Sequence, residues 1–222
     1  MDHTLKAVDE ELAALARDVA ELGALAVSQL KDALRAFAQR DAELGREVAA
    51  RDERLDALDA AVERNAIRFI ALRQPMADDL RRPITAMKTA MNLERCGDLA
   101  KNIAKRVGKM AEAPGQAQAE AIADLGRLVA ERLEAVMTAY AARDASGALE
   151  VWARDEEVDA LHDRVFAEIL ACMSRDAGQA RVCTHLMFIA KNLERIGDHA
   201  TNVAEMVHYQ ITGHDLSGRP KL

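Results

Sequence analysis

The sequence predicts an all-α protein of two tandem three-helix bundles, related by an internal repeat. Alanine, leucine, arginine and glutamate dominate its 222 residues, and only 11 glycines and 4 prolines interrupt them, a composition that favours long helices. Apolar residues recur at the three- and four-residue steps that are typical of helix faces. An all-β fold is disfavoured because β-branched and aromatic residues do not form alternating runs between turns.

The chain repeats itself once along its length. Residues 36–59 align with residues 139–162, and the motif Asn-Leu-Glu-Arg-x-Gly-Asp occurs in each copy, beginning at Asn92 and at Asn192. Chance similarity between alanine-rich helices would not produce this motif twice. We therefore expect a first repeat over residues 1–112, a second over residues 117–213 and a tail over residues 214–222.

The first copy is predicted to form three helices, over roughly residues 5–38, 42–72 and 77–110. Each helix carries one apolar line. In the first helix the line is Leu5, Val8, Leu12, Leu15, Val19, Leu22, Leu25 and Ala26, in the second it is Leu44, Val48, Leu55, Leu58, Val62 and Phe69, and in the third it is Leu93, Cys96, Ala100, Ile103 and Val107.

The second copy is predicted to repeat this pattern over roughly residues 118–142, 146–173 and 177–210. Its third helix carries the matching apolar line Leu193, Ile196, Ala200, Val203 and Val207. The predicted breaks are short: Arg40-Asp41, Gln74-Pro75, Ala113-Pro114-Gly115-Gln116, Arg143-Asp144 and Asp176-Ala177-Gly178. Short connections make neighbouring helices antiparallel, so each copy should fold as an up-down-up bundle.

Charge and sequence signals limit the cellular setting. Asp plus Glu number 37 against 30 Lys plus Arg, for a net charge of −7, which disfavours nucleic acid as a partner. The first ten residues have no signal-peptide core, and no stretch approaches the ~18 apolar residues of a membrane span. The three cysteines have no CxxC spacing and are expected to be buried reduced thiols. We therefore expect a cytoplasmic protein without membrane insertion.

Two acidic pairs in the first copy should meet across its second helical hairpin. Asp52 and Asp56 are four residues apart and share one helix face, as do Glu94 and Asp98. Asp52 and Asp98 each lie 23 residues from Pro75, at the turn, and Asp56 and Glu94 each lie 19 residues from it. In an antiparallel hairpin, residues equidistant from the turn lie level with each other. A helical wheel places the acids where the hairpin opens toward solvent or a partner.

The second copy repeats the arrangement, with Asp155 level with Asp198 and Asp159 level with Glu194. Four crowded carboxylates repel one another unless a cation joins them. An all-oxygen set suits Mg²⁺, Mn²⁺ or iron, so we predict a metal site in each copy. Asn102 and Asn202 are candidate further ligands. The alternative is a solvated acidic face that pairs with nearby arginines, namely Arg51, Arg95, Arg154 and Arg195.

Enzymatic function is not expected. No Ser-His-Asp or Cys-His set is recognisable by spacing, and no GxxxxGK[ST] phosphate loop occurs. A carboxylate-bridged di-iron enzyme needs two Glu-x-x-His pairs. Glu205-x-x-His208 and the weaker Asp159-x-x-His162 are unrepeated, and we interpret both histidines as ordinary surface or helix-end residues. The di-iron enzyme and a metal-free helical scaffold remain the alternative functions.

The motifs resemble those of the PhoU family, the phosphate-signalling accessory proteins of bacteria, over nearly the whole chain. The most specific segments are Arg73-Gln74-Pro75 with Asp79-Leu80-Arg81, Asn92-Leu93-Glu94-Arg95-Cys96-Gly97-Asp98, and the run from Asn192 to Asn202. The resemblance implies two three-helix bundles, each with an E/D-x-x-x-D motif on its second and third helices. The motif falls on Asp52/Asp56, Glu94/Asp98, Asp155/Asp159 and Glu194/Asp198.

The resemblance also implies a function and partners. Some family members bind iron, zinc or other metal ions at the E/D-x-x-x-D motifs. The implied role is negative regulation of phosphate uptake and of the phosphate-starvation response. The implied partners are PstB, the ATPase subunit of the phosphate transporter, and PhoR, the membrane sensor histidine kinase. Such partners would bring the protein to the inner membrane peripherally. A homodimer is expected from the long apolar helix faces and from the family.

Overall fold

The computed structural model describes residues 2–110 and 112–216, with side chains from residue 7 onward. Leu5 of the predicted apolar line and most of the predicted tail therefore lie outside what is described. The described secondary structure is entirely helical, which confirms the predicted fold class. Its elements are α1 (Asp2–Gln39), α2 (Ala42–Ala50), α3 (Asp52–Arg73), α4 (Asp78–Val107), α5 (Gln116–Ala142), α6 (Ala145–Ala153), α7 (Glu156–Arg175), a 3-10 turn (Ala177–Gln179) and α8 (Ala180–Thr212).

The second predicted helix of each copy is divided in two, which the sequence analysis did not anticipate. At Arg51 the backbone N–H is shared between the carbonyls of Glu47 and Val48, so the regular α-helical ladder stops for one residue. The second copy breaks at the equivalent position, where the Arg154 N–H bonds to the Val151 carbonyl. Neither break contains glycine or proline, and the apolar periodicity continues across it, so the sequence does not indicate the break. Asp52 consequently begins a new helix.

Matching capping residues form the connection between the first two helices of each bundle. α1 and α5 are followed by residues in the left-handed region, Arg40 with φ 54° and Arg143 with φ 52°. The next residue in each copy is an aspartate that caps the following helix. Asp41 accepts hydrogen bonds from the N–H groups of residues 43 and 44 at 2.9 and 3.0 Å, and Asp144 accepts one from Ser146 at 2.9 Å. These caps confirm the predicted helix boundaries at 40–41 and 143–144.

The predicted apolar lines form the core. In α4 and α8 the predicted third-helix lines are fully buried, from Leu93 to Val107 and from Leu193 to Val207. α1 contributes Leu15, Leu22 and Leu30 to the same continuous cluster. Burial of such side chains contributes about 1.5–3 kcal/mol each and drives the association of the helices. Within the described residues, no helix is long and apolar enough to cross a membrane.

α4 and α8 pack antiparallel at the junction of the two bundles. The His199 Nδ1 atom lies 2.9 Å from the Asn92 Oδ1 atom near the middle of the pair. At one end, the guanidinium carbon of Arg106 lies 3.8 Å from the centroid of the Phe188 ring. At the other end, the guanidinium carbon of Arg81 lies 5.9 Å from the centroid of a tyrosine ring on α8. The hairpin tips of the two bundles therefore point to opposite ends of the molecule.

Candidate functional site

Three carboxylates of the second bundle converge between α7 and α8. Asp159, Glu194 and Asp198 each offer an oxygen, and these oxygens all lie within 4.8 Å of one another. Asp159 belongs to the first turn of α7, while Glu194 and Asp198 lie one turn apart on α8. The structure thus brings Asp159 level with Glu194, as their equal spacing from the turn predicts. A divalent cation could bind between these oxygens, because carboxylates are the ligands that hard cations prefer.

Glu194 has one oxygen that the surrounding protein leaves unsatisfied. Its Oε1 atom accepts a hydrogen bond of 2.7 Å from the Lys191 ammonium. Its Oε2 atom is buried and has no hydrogen-bond partner among the described residues. A buried acceptor without a partner costs about 1–3 kcal/mol, more when it is charged. A cation at the cluster would satisfy this oxygen, so the donor set fits a metal ion.

Asp155 lies beside this cluster, where α7 begins. The Thr201 hydroxyl, on α8, lies 2.6 Å from the Asp155 Oδ1 atom. Thr201 is almost fully buried, and its hydroxyl also lies 3.2 Å from the Gly197 carbonyl. Asp155 is therefore fixed relative to α8 by a neutral hydroxyl group.

The first bundle holds an ammonium group at the corresponding place. Lys101 forms ion pairs with Asp52 and, at 2.6 Å, with Asp98. Hydrogen bonds to these two carboxylates raise the pKa of Lys101 despite its burial. Gln29, which is fully buried on α1, donates a 3.1 Å hydrogen bond to the Gly97 carbonyl and lies 3.4 Å from Asp52. Asp52 is only 6% exposed, so this acid lies deeper than the expected opening toward solvent or a partner surface.

The remaining acids of the first bundle sit in a mixed electrostatic environment. Burial, and then the charge of Asp98, raise the pKa of Glu94. Burial also raises the pKa of Asp98, but the hydrogen bond and charge of Lys101 outweigh it, so the net shift is downward. Arg95 pairs with Asp98 at 3.2 Å and with Glu94 at 3.4 Å, as the solvated-face alternative expects of arginines. Asp56 is exposed.

The two asparagines proposed as further ligands differ in their surroundings. Asn102 is exposed. Asn202 donates a 3.3 Å hydrogen bond to Asn92 of α4, across the junction of the bundles. Its amide is engaged there because position 202 on the helical wheel faces α4.

The sequence did not single out Asp59, and it offered His162 only as a weak di-iron ligand. Asp59 is half-buried, and burial, followed by neighbouring carboxylates, raises its pKa. His162 occupies the equivalent position in the second copy, and its side chain is only 13% exposed, with a buried Nε2 atom that has no partner among the described residues. The interpretation of His162 as an ordinary surface residue is therefore wrong. The pairing of position 59 with 162 in the repeat was the available signal.

The Glu205-x-x-His208 pair of the di-iron alternative is engaged elsewhere. Glu205 accepts a 3.1 Å hydrogen bond from the Trp152 indole N–H. His208 lies 3.1 Å from the His214 carbonyl, beyond the end of α8. Neither residue belongs to the carboxylate cluster of Asp159, Glu194 and Asp198.

Comparison with known proteins adds independent information. A family model described as PhoU domain matches residues 19–107 and again residues 122–207. A protein of Caulobacter vibrioides (strain NA1000 / CB15N), named phosphate-specific transport system accessory protein PhoU homolog, is 51% identical over 223 residues, covering 100% of this chain and 97% of the relative. A protein of the same name from Rhizobium meliloti (strain 1021) is 42% identical over 221 residues, covering 99% of this chain and 93% of the relative.

Two solved structures share the fold over almost their whole length. The crystal structure of PhoU from Pseudomonas aeruginosa superposes with a TM-score of 0.89 at 30% identity, covering 93% of this chain and 99% of that one. The crystal structure of the phosphate transport system regulatory protein PhoU from Streptococcus pneumoniae superposes with a TM-score of 0.86 at 29% identity, covering 95% of this chain and 99% of that one.

Proposed function

The chain belongs to the PhoU family, and from this premise we propose that it is a regulatory accessory protein of a phosphate-specific transport system. Its role is negative regulation of phosphate uptake and of the phosphate-starvation response. The full-length similarity to accessory proteins of that system supports this role. The protein acts by binding rather than by catalysis, and its partners are PstB and PhoR. These partners hold it at the cytoplasmic face of the inner membrane.

The regulatory state depends on a cation at the acidic residues of the second bundle. The observation that carries this is the convergence of Asp159, Glu194 and Asp198, together with the unsatisfied Glu194 Oε2 atom. Asp155, which precedes α7 one helical turn before Asp159, is the further ligand we propose for this cation. Magnesium, manganese, iron and zinc are all compatible with carboxylate ligands.

The first bundle has the same acidic motif, Asp52/Asp56 with Glu94/Asp98, but Lys101 pairs with two of its four carboxylates. A metal ion entering there must displace or repel the ammonium group. We therefore place the tighter metal site in the second bundle. The first bundle binds metal only weakly while Lys101 is present.

A bound cation changes how the acidic surface meets a partner. It neutralises part of the negative charge and pins α7 to α8, so that the hairpin presents one fixed surface to PstB or PhoR. The protein also pairs with a second copy of itself, which light scattering of the purified chain can measure.

The experiment tests metal and regulation separately. Protein purified without chelators is analysed for metal content, and metal-stripped protein is titrated with Mn²⁺ and Zn²⁺. The E194Q/D198N double variant should lose the tight site, whereas E168Q, an exposed acid on α7 without an ion pair among the described residues, should keep it. Binding to purified PstB and PhoR is then measured for metal-loaded and metal-free protein.

Each outcome has a distinct meaning. Equal partner binding with and without metal would refute the role of the cation and favour a metal-free scaffold. In a strain without the chain's gene, phosphate-starvation genes should be expressed even in high phosphate, and the wild-type gene should restore repression. Normal repression in the deletion strain would refute the regulatory role itself.

A further inference from the structure

A cleft of about 300 Å³ lies where the two bundles meet, far along α8 from the carboxylates. Arg17 on α1 and Arg82 on α4 line it from the first bundle. Tyr140, Arg143 and Gln210 line it from the second bundle, at the end of α5 and near the end of α8. Clefts between domains are common places for small ligands.

The three arginines in this cleft pair with no carboxylate of the described residues. Arg17 and Arg143 are exposed and Arg82 is half-buried, and among the residues that the structure describes none of the three side chains forms an ion pair. Other arginines of the chain, such as Arg51 and Arg73, pair with carboxylates. Three arginines that line one cleft without a paired carboxylate would produce a local positive potential, which attracts anions.

Tyr140 supplies a hydrogen-bond donor to the same cleft. The residue is only 7% exposed, yet its hydroxyl forms no hydrogen bond within the described part of the chain. Burial raises the pKa of the Tyr140 hydroxyl, so the group stays protonated and can donate. The charge of Asp18 also raises the pKa of Tyr140, whereas the charges of Arg82 and Arg143 lower it. The Asp18 Oδ2 atom accepts a 3.2 Å hydrogen bond from Asn65.

We propose that this cleft binds a phosphate group through Arg17, Arg82 and Arg143, with the Tyr140 hydroxyl and the Gln210 amide as further donors. Guanidinium groups match phosphate oxygens with paired, charge-assisted hydrogen bonds. Donors that come from four helices suit a tetrahedral anion, whose oxygens point in separate directions, better than a planar carboxylate. The site is separate from the carboxylate cluster and does not depend on the proposed cation.

Binding here would join the two bundles. Arg17 and Arg82 belong to the first repeat, whereas Arg143 and Tyr140 belong to the second. A phosphate group that contacts both sets stabilises their relative position, because a ligand that binds only the folded, docked state favours that state. The cleft thus couples the concentration of a phosphate compound to the arrangement of α1 and α4 against α5 and α8.

The test uses the full-length, chelator-treated protein, so that no metal-bound phosphate contributes. Calorimetric titrations with inorganic phosphate and with phenyl phosphate are compared for wild type, R82Q, R143Q and Y140F. The matched control is R64Q, an exposed arginine on α3 that has no ion pair among the described residues. Glutamine keeps a polar side chain with the same Cβ and Cγ atoms, and Gln74 shows that glutamine adopts the left-handed backbone that position 143 requires, so we expect folding to be preserved. Thermal unfolding of each variant without ligand verifies this.

We expect saturable binding to the wild type, weakened about tenfold or more by R82Q and by R143Q and about threefold by Y140F, with R64Q unchanged. Tighter binding of inorganic phosphate would identify the free ion as ligand, and tighter binding of phenyl phosphate would identify a phosphate group within a larger molecule. Both results support the site. E194Q/D198N should bind phosphate as wild type does, so failure of the cation proposal leaves this result intact.

Two results would overturn the inference. One is the absence of saturable binding of either compound to folded wild-type protein. The other is an affinity that does not depend on the cleft: R82Q and R143Q bind as tightly as wild type, or R64Q or E194Q/D198N loses as much affinity as they do. Binding would then lie elsewhere.

Discussion

Replacing Lys101 by threonine should make the first bundle dependent on a cation. Threonine is the residue at the equivalent position of the second copy, Thr201. The substitution removes the ammonium that pairs with Asp52 and Asp98. Breaking a fully buried pair costs about 3–5 kcal/mol. The side chains of Lys101, Asp52 and Asp98 are 20%, 9% and 30% exposed, so solvent reduces the loss to about 2–3 kcal/mol.

This loss is large enough to measure by thermal unfolding. For a chain of this length, each kcal/mol shifts the unfolding midpoint by about 2–4 °C, so metal-free K101T should melt about 5–10 °C below wild type. The control is K105T, one turn further along α4, where the lysine is exposed and has no ion pair among the described residues. It bears the same helix-propensity change, about 0.5 kcal/mol, and should shift by only about 1–2 °C.

Added Mn²⁺ should then stabilise K101T more than wild type. The carboxylates of Asp52, Asp56, Glu94 and Asp98 are left without the ammonium, and a cation at a hundred times its dissociation constant restores about 2.7 kcal/mol. Circular dichroism melts with chelator and with Mn²⁺, for wild type, K101T and K105T, make the comparison. If K101T and K105T melt together in chelator, or if Mn²⁺ raises the midpoints of K101T and wild type equally, the ammonium does not act as the built-in cation of this bundle.

Three further predictions concern pH and packing. Because burial and neighbouring carboxylates raise the pKa of Asp59, its ionised form opposes folding, so D59N should raise the midpoint at pH 7 but not at about pH 3, where the group is protonated in both states. Burial, then neighbouring guanidinium charges, lower the pKa of His199 below its ordinary value of 6.5. The stability that the neutral imidazole contributes is therefore present above pH 6.5 and is lost as the pH falls. H199Q should consequently lose less stability than wild type between about pH 7 and pH 5. A Cβ on Gly45 would lie 2.8 Å from the Ala104 carbonyl oxygen, so G45A should lower the free energy of unfolding in urea by about 1–2 kcal/mol. A Cβ on Gly108 would have its nearest contact at 3.9 Å, so G108A should be neutral or stabilising.

Sequence reasoning reached the carboxylate cluster because the turn fixes the level of every residue in a hairpin. Asp159 and Glu194 meet since they are equidistant from one turn, and four-residue spacing then brings Asp198 to the same face. Helix faces were equally predictable, because burial follows apolar periodicity. The break at Arg51 was not predictable, because it arises from shared backbone hydrogen bonds and the sequence there contains no glycine or proline.

Apolar periodicity also could not predict which hydrogen bonds a given side chain makes. Asn202 has the residue type and the helix position of a ligand, yet its amide bonds to Asn92, a residue 110 positions away in another helix. The cleft with Arg17, Arg82 and Arg143 is of the same kind, since it draws on four helices whose relative placement no local pattern determines. Such sites depend on how the two bundles dock, and docking is fixed by the long α4–α8 contact.

The two copies share the acidic motif but differ in the residues around it. The carboxylate positions are the same in both copies, but among the described residues only those of the second copy converge as a candidate metal cluster. At positions 101 and 201 the first copy has an ammonium and the second a hydroxyl, and at positions 59 and 162 the first has a carboxylate and the second an imidazole. The first bundle thus carries a cation within its own sequence, whereas Glu194 in the second keeps an oxygen that its surroundings leave unsatisfied. Under the proposed function, a cation bound between α7 and α8 would affect the first bundle through α8, because that helix packs along α4 and bears both His199 at the junction and Gln210 in the arginine cleft.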